Sequence, residues 1–120
     1  MKSKEEVMQL VTAVCDALDD KKGSDIVVLD ISKITVLSDY FVIVTGNNVN
    51  HMKTLVENVK DRMEKCGRHI KHQEGAGSWI LLDYGDFIVH VFNSEDREFY
   101  NLEHIWGDAD VVSLAAPGIY

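Results

Sequence analysis

The sequence predicts a single α/β domain: a mixed five-stranded sheet with about three helices, in the order α-β-β-α-β-β-β-α. Three observations predict it. Apolar residues recur at helical spacing in two stretches, 7–18 and 52–63. Between and after these stretches lie short runs rich in branched and aromatic residues, bounded by Gly, Asn and Asp. The chain has 120 residues, 46% of them hydrophobic, which suits one packed core and no second one.

The first helix opens at Ser3, with Glu6 three residues later in the form of a capping box. Val7, Val11, Val14 and Leu18 form its apolar stripe, with Met8 and Cys15 beside them, and Gly23 is the expected stop. Residues 26–31 and 40–45 read as two strands. Gly46, Asn47 and Asn48 break the second and can cap a helix carrying Met52, Leu55, Val56, Val59 and Met63, which ends at Gly67. Residues 68–71 read as a short third strand and residues 74–78 as a Gly-containing loop. Residues 79–83 and 87–92 read as strands around a tight Tyr84-Gly85-Asp86 turn. Ser94 is placed to cap a last short helix carrying Phe99 and Tyr100, with Glu95 and Asp96 in its first turn. The domain is expected to span residues 1–110, followed by a weakly patterned tail, 111–120. Four of the strands read as continuous apolar runs, which want cover on both faces. Three helices are too few for that, and the surplus implies a partner or a self-association surface.

The net charge is −8, unevenly spread. Residues 76–120 hold one basic residue, Arg97, against eight acidic ones, together with most of the aromatics; residues 51–75 are mildly basic. An acidic surface repels phosphate backbones, so nucleic acid is not expected as the main contact. It suits a basic protein partner, with aromatics as anchors, although composition alone favours an ordinary solvated face over an aromatic core. No apolar stretch is long enough to span a membrane, and residues 1–7 lack the apolar core of a secretory signal, so a cytoplasmic protein is expected. Cys15 and Cys66 fit no metal or redox spacing and read as two reduced, buried thiols.

The search for chemistry comes back without a positive case. Nucleotide transfer needs a Gly-Ser turn and two carboxylates one residue apart on a following strand, where they share metal ions. Gly23-Ser24-Asp25 has the look of such a start, but the strand after it offers only Asp30 near its end, and Asp108 and Asp110 come too late. The 74–78 segment lacks the lysine and helix of a phosphate loop. His69 and His72 are three apart and would point to opposite faces of a strand; His90 reads as a hydrogen-bonded core or rim residue, and His104 beside Glu103 is a weak pair. No metal, cofactor or catalytic residue is assigned.

Two segments carry a stronger signal. One is Asp25-Ile-Val-Val-Leu-Asp30 with Ser38-Asp39-Tyr40-Phe41-Val42-Ile43 and Thr45-Gly46. The other is Trp79-Ile-Leu-Leu-Asp83-Tyr-Gly-Asp86-Phe-Ile-Val-His90-Val-Phe92, followed by Arg97-Glu-Phe-Tyr100-Asn-Leu-Glu103 and Trp106. Over about residues 5–110 the chain resembles the Iojap-like, or ribosomal silencing factor, family. The resemblance implies a nucleotidyltransferase-like fold without the catalytic carboxylates. It implies binding to the large ribosomal subunit through the ribosomal protein numbered fourteen, steric block of subunit joining when nutrients are scarce, and a homodimer off the ribosome. A large-subunit assembly factor and a nucleotide-binding enzyme of the same fold stay open as alternatives. The expected contact residues are Trp79, Asp83, Tyr84, Asp86, Arg97, Tyr100, Glu103 and Trp106; each aromatic among them reads equally as core packing.

Overall fold

The computed structural model describes residues 3–36, 38–94 and 110–111. The elements run α1 (Lys4–Asp20), β1 (Ser24–Asp30), β2 (Tyr40–Gly46), α2 (Val49–Lys65), β3 (His72–Ala76), β4 (Trp79–Asp83), β5 (Phe87–Asn93) and β6 (Asp110–Val111). Two helices and five strands therefore follow the expected order, and the two-residue β6 adds a sixth strand. The helix expected after Ser94 falls outside the described residues.

The strands form one mixed sheet in the order β3-β4-β5-β2-β1-β6. Only β2 and β5 run parallel, with α2 and the β3–β4 hairpin in the connection between them; the other pairs are antiparallel. Strand side chains alternate between faces, so register assigns each residue to a side. Val28, Val42, Val89 and Leu82 stand in one row, and Val44, Val91 and Ile80 in the next. These belong to the main core with Val7, Val11, Val14 and Leu18 of α1 and Met52, Leu55, Val59 and Met63 of α2. α1 and α2 thus cover the same face. The opposite face carries a smaller cluster of Leu29, Phe41, Ile43 and Phe92, with Val27, Trp79 and Ile88 packed against it.

The caps explain where the helices begin and end. Ser3 Oγ accepts from the Glu6 amide, and Asn48 Oδ1 from the His51 amide. The end of α2 is as expected: Gly67 takes the left-handed conformation and the Arg68 amide donates back to the Met63 carbonyl. The end of α1 differs. Its left-handed residue is Lys22, not Gly23. Gly23 sits one position later, where its amide donates to the Leu18 carbonyl and where a Cβ would lie 2.6 Å from Val44 Cγ2. Close packing against β2 is the reason for the glycine there.

Three more expectations are corrected. The third strand is His72–Ala76 and not residues 68–71, so most of the segment read as a loop belongs to the sheet. All five of its residues are exposed, and an edge strand held by backbone pairing with β4 leaves no apolar pattern to read. Apolar runs did not mean two-sided cover throughout: β2 is buried along its whole length, whereas β4 alternates, with Ile80 and Leu82 inward and Trp79, Leu81 and Asp83 half-exposed. Of the two thiols, Cys15 is buried and pushed up to about 12 by that burial, but Cys66 is exposed, because it caps α2 beyond the last buried turn.

Candidate functional site

The face that α1 and α2 leave uncovered reaches the sheet edge at the β3–β4 hairpin. Register places Ala76 beside Trp79, Glu74 beside Leu81, and His72 beside Asp83. Trp79, Leu81 and Asp83 share this side of β4, and Ile88, His90 and Phe92 continue it onto β5. A cavity of about 340 Å³ lies here, lined by Glu74, Gly75, Trp79 and Leu81. The result is a half-exposed apolar strip (Trp79, Leu81 and Ile88) flanked by the carboxylates Glu74 and Asp83.

Trp79 is held in place from below. Its ring stacks on Phe92 with centroids 5.1 Å apart, and its Nε1–H donates to Nδ1 of His90 at 3.2 Å. His90 is 4% exposed and packs edge-on against Phe41, with centroids 4.6 Å apart. Burial pushes the imidazole down to about 4, so it is neutral at physiological pH. A neutral ring that accepts at Nδ1 carries its proton on Nε2, and that atom is buried without a hydrogen-bond partner among the described residues. The sequence reading of His90 as a hydrogen-bonded core residue is thus right at one nitrogen.

The β4–β5 turn forms the other end of the site. Gly85 has φ +88°, the Tyr84 amide donates to the Phe87 carbonyl, and Asp83 Oδ1 accepts from the Gly85 amide at 2.8 Å. Asp83 therefore builds the turn as well as bordering the strip. Tyr84 is 1% exposed and stacks on Phe87; burial pushes its hydroxyl up to about 12. That placement removes Tyr84 from the contact surface expected of it and makes it the floor of the turn. Arg68 is the residue that sequence reasoning missed. It donates from NH2 to the Tyr84 carbonyl at 2.7 Å and lies 3.2 Å from the Asp86 carboxylate, with 15% of its side chain exposed. Its only signal was an arginine directly after a helix-ending glycine, too common to single out. Arg68→Ala is expected to cost about 2 kcal/mol in urea unfolding, because a charge-assisted bond to a carbonyl is lost and Asp86 loses its cation. An unchanged urea midpoint would show that the clamp contributes nothing.

Of the eight expected contact residues, the structure brings Trp79 and Asp83 onto one strip and places Asp86, with 35% of its side chain exposed, at the adjoining turn. Arg97, Tyr100, Glu103 and Trp106 lie outside the described residues. Among the described residues, no group of three or more His, Cys, Asp or Glu side chains is arranged to hold a metal ion, and no helix is long and apolar enough to cross a membrane. β1 holds two carboxylates, Asp25 and Asp30, with four residues between them where nucleotide transfer needs one; Asp30 accepts from the Ser32 amide and hydroxyl and pairs with Lys4 at 3.2 Å. The arrangement provides an anchored aromatic, neighbouring aliphatics and an acidic border. These are the parts of a protein-docking surface.

Comparison with known proteins gives a consistent result. The family model described as "Ribosomal silencing factor during starvation" matches residues 4–118. The ribosomal silencing factor of Bacillus subtilis is 36% identical over 114 residues, covering 93% of this chain and 94% of that protein. That of Halalkalibacterium halodurans is 38% identical over the same length, covering 93% and 95%. A crystal structure of a protein from Chromobacterium violaceum superposes with a TM-score of 0.81 at 34% identity, covering 91% of this chain and 92% of that one.

Proposed function

Since the chain belongs to the ribosomal silencing factor family, we propose that it acts as a binding protein without catalysis, docking on the large ribosomal subunit and sterically preventing the small subunit from joining. The observation that carries this reading is the strip on the face that α1 and α2 leave uncovered, where His90 and Phe92 fix Trp79 beside Leu81 with carboxylates at the border. An anchored ring loses little conformational freedom on binding, so more of its burial appears as affinity. Glu74, Asp83 and Asp86 suit a basic protein partner, guiding its approach and disfavouring neutral or acidic competitors. In this reading the partner is the large-subunit ribosomal protein numbered fourteen, which lies where the small subunit docks. The factor forms a homodimer when off the ribosome, works in the cytoplasm, and represses translation when nutrients are limiting. Its scaffold is a nucleotidyltransferase-like sheet that has become a docking platform.

The test is sedimentation of purified subunits under conditions that favour joining. Wild-type protein is expected to move with the large subunit and to lower the joined fraction. Trp79→Ala is expected to weaken that binding about 30-fold, the loss typical of a hot-spot aromatic worth about 2 kcal/mol. If the wild-type protein leaves joining unaffected and stays at the top of the gradient, the proposal fails. If it binds but Trp79→Ala binds equally, the docking surface lies elsewhere.

A further inference from the structure

Three large hydrophobic side chains are exposed among the described residues: Ile34, Val36 and Val49. Two of them stand two residues apart on one connection, residues 31–39, with Ile34 41% and Val36 101% exposed. Single exposed aliphatics are ordinary, but an exposed pair on one loop calls for a physical reason.

The loop has a firm base. The Ile31 amide donates to the Asp39 carbonyl and closes it like the last rung of the β1–β2 ladder. Asp30 Oδ1 accepts from the amide and hydroxyl of Ser32, and the amides of Ile34 and Thr35 both donate to the Ile31 carbonyl. Two aliphatics are thus presented on a braced turn, which lowers the ordering cost of burying them. The loop is also tied to the site already described, because the Asp39 amide donates to the Asp86 carbonyl at 2.9 Å. Register puts Asp30, Tyr40 and Phe87 in one row at this end of the sheet, next to the row of Leu29, Phe41, Ile88 and Asp83. The loop and the Tyr84-Gly85-Asp86 turn therefore share one end of the sheet, the end that also carries Asp39, Asp83 and Asp86.

We propose that this loop is a second docking element, in which Ile34 and Val36 enter an apolar pocket on the protein partner whose rim carries Lys or Arg facing Asp39, Asp83 and Asp86. The inference rests on the silencing-factor reading and adds a contact to it: one partner spans the Trp79 strip and the loop through the turn between them. Charge complementarity and the hydrogen-bonded continuity with the strip favour the same basic partner over a second, separate one.

The test compares binding of purified large subunits by wild-type protein and by the Ile34→Thr/Val36→Thr double variant. Threonine keeps the branch at Cβ and removes apolar surface, so the thermal midpoint is expected to stay near that of the wild type. Binding is expected to weaken about tenfold. If the wild type binds and the folded double variant binds equally, the loop inference is overturned and the silencing-factor reading stands. If the wild type itself does not bind, that reading fails and takes the inference with it. A pair of single variants keeps the test open should the double variant fold poorly. Val36 makes no core contact, and a basic rim predicts that Val36→Lys weakens binding more than Val36→Glu; equal affinities for the two would also overturn the proposal.

Discussion

Lowering the pH from 7 to 4.5 is expected to destabilise the domain by about 2 kcal/mol, and His90→Phe is expected to remove most of that loss. The cause is one buried imidazole. The folded state holds His90 neutral down to about pH 4, whereas in the unfolded chain the group has its ordinary value of 6.5. Between those values the unfolded state binds more protons, so stability rises with pH through the window and falls as pH drops. The contribution is fully present above 6.5 and is lost progressively as the pH approaches 4. The same proton disables the site: a protonated Nδ1 cannot accept from the Trp79 indole, so ring and imidazole lose their bond together. Urea unfolding across this range, followed by tryptophan fluorescence, measures the slope. Phenylalanine fits the aromatic surroundings of Phe41, Trp79 and Phe92 and carries no proton. A His90→Phe slope as steep as that of the wild type between pH 6.5 and 4.5 would assign the dependence to other groups.

The other large effect is expected at Gly75. Its φ is +87°, and a Cβ there would stand 2.0 Å from the Trp79 carbonyl oxygen and 3.4 Å from Ile80 Cα. Those are backbone atoms of the paired strand, so relief requires the hairpin itself to move. Gly75→Ala is expected to cost about 3 kcal/mol, combining left-handed strain with overpacking. It should also weaken partner binding, because the displaced carbonyl belongs to Trp79. Gly77 supplies the control. Its φ is +75°, but nothing lies within 4 Å of its Cβ position, so Gly77→Ala should show the conformational cost alone, about 1 kcal/mol. Equal losses at the two positions in urea unfolding would rule out the close approach to Trp79 as the cause.

Much of the fold was legible in the residues, and the gaps have particular causes. The helices were readable because Val7, Val11, Val14 and Leu18, and Met52, Leu55, Val56, Val59 and Met63, repeat at the period that buries one stripe. Asn48 and Gly67 mark ends of α2 because capping and left-handed backbone are local requirements. The strand at His72–Ala76 was misplaced because backbone pairing holds it and no side-chain burial does; local patterning carries no record of a ladder closed by a distant segment. Tyr84 and Asp86 looked alike as members of a motif, yet one is the floor of the turn and the other a clamped carboxylate near its surface.

By itself, the sequence determined the α/β class, the order of the elements from α1 to β5, the two helix stripes and the family. Each is written in local periodicity, in cap residues, or in continuous motifs such as the run from Trp79 to Phe92. Tertiary structure alone decided that both described helices cover one face, that β4 leaves Trp79 and Leu81 half-exposed on the other, and that Arg68 reaches the turn. It also joined residues 31–39 to Asp86 through one backbone hydrogen bond. The physical reason is register: alternation fixes which residues share a side of a strand, but only pairing across the sheet decides which sides meet and which of them the helices leave uncovered.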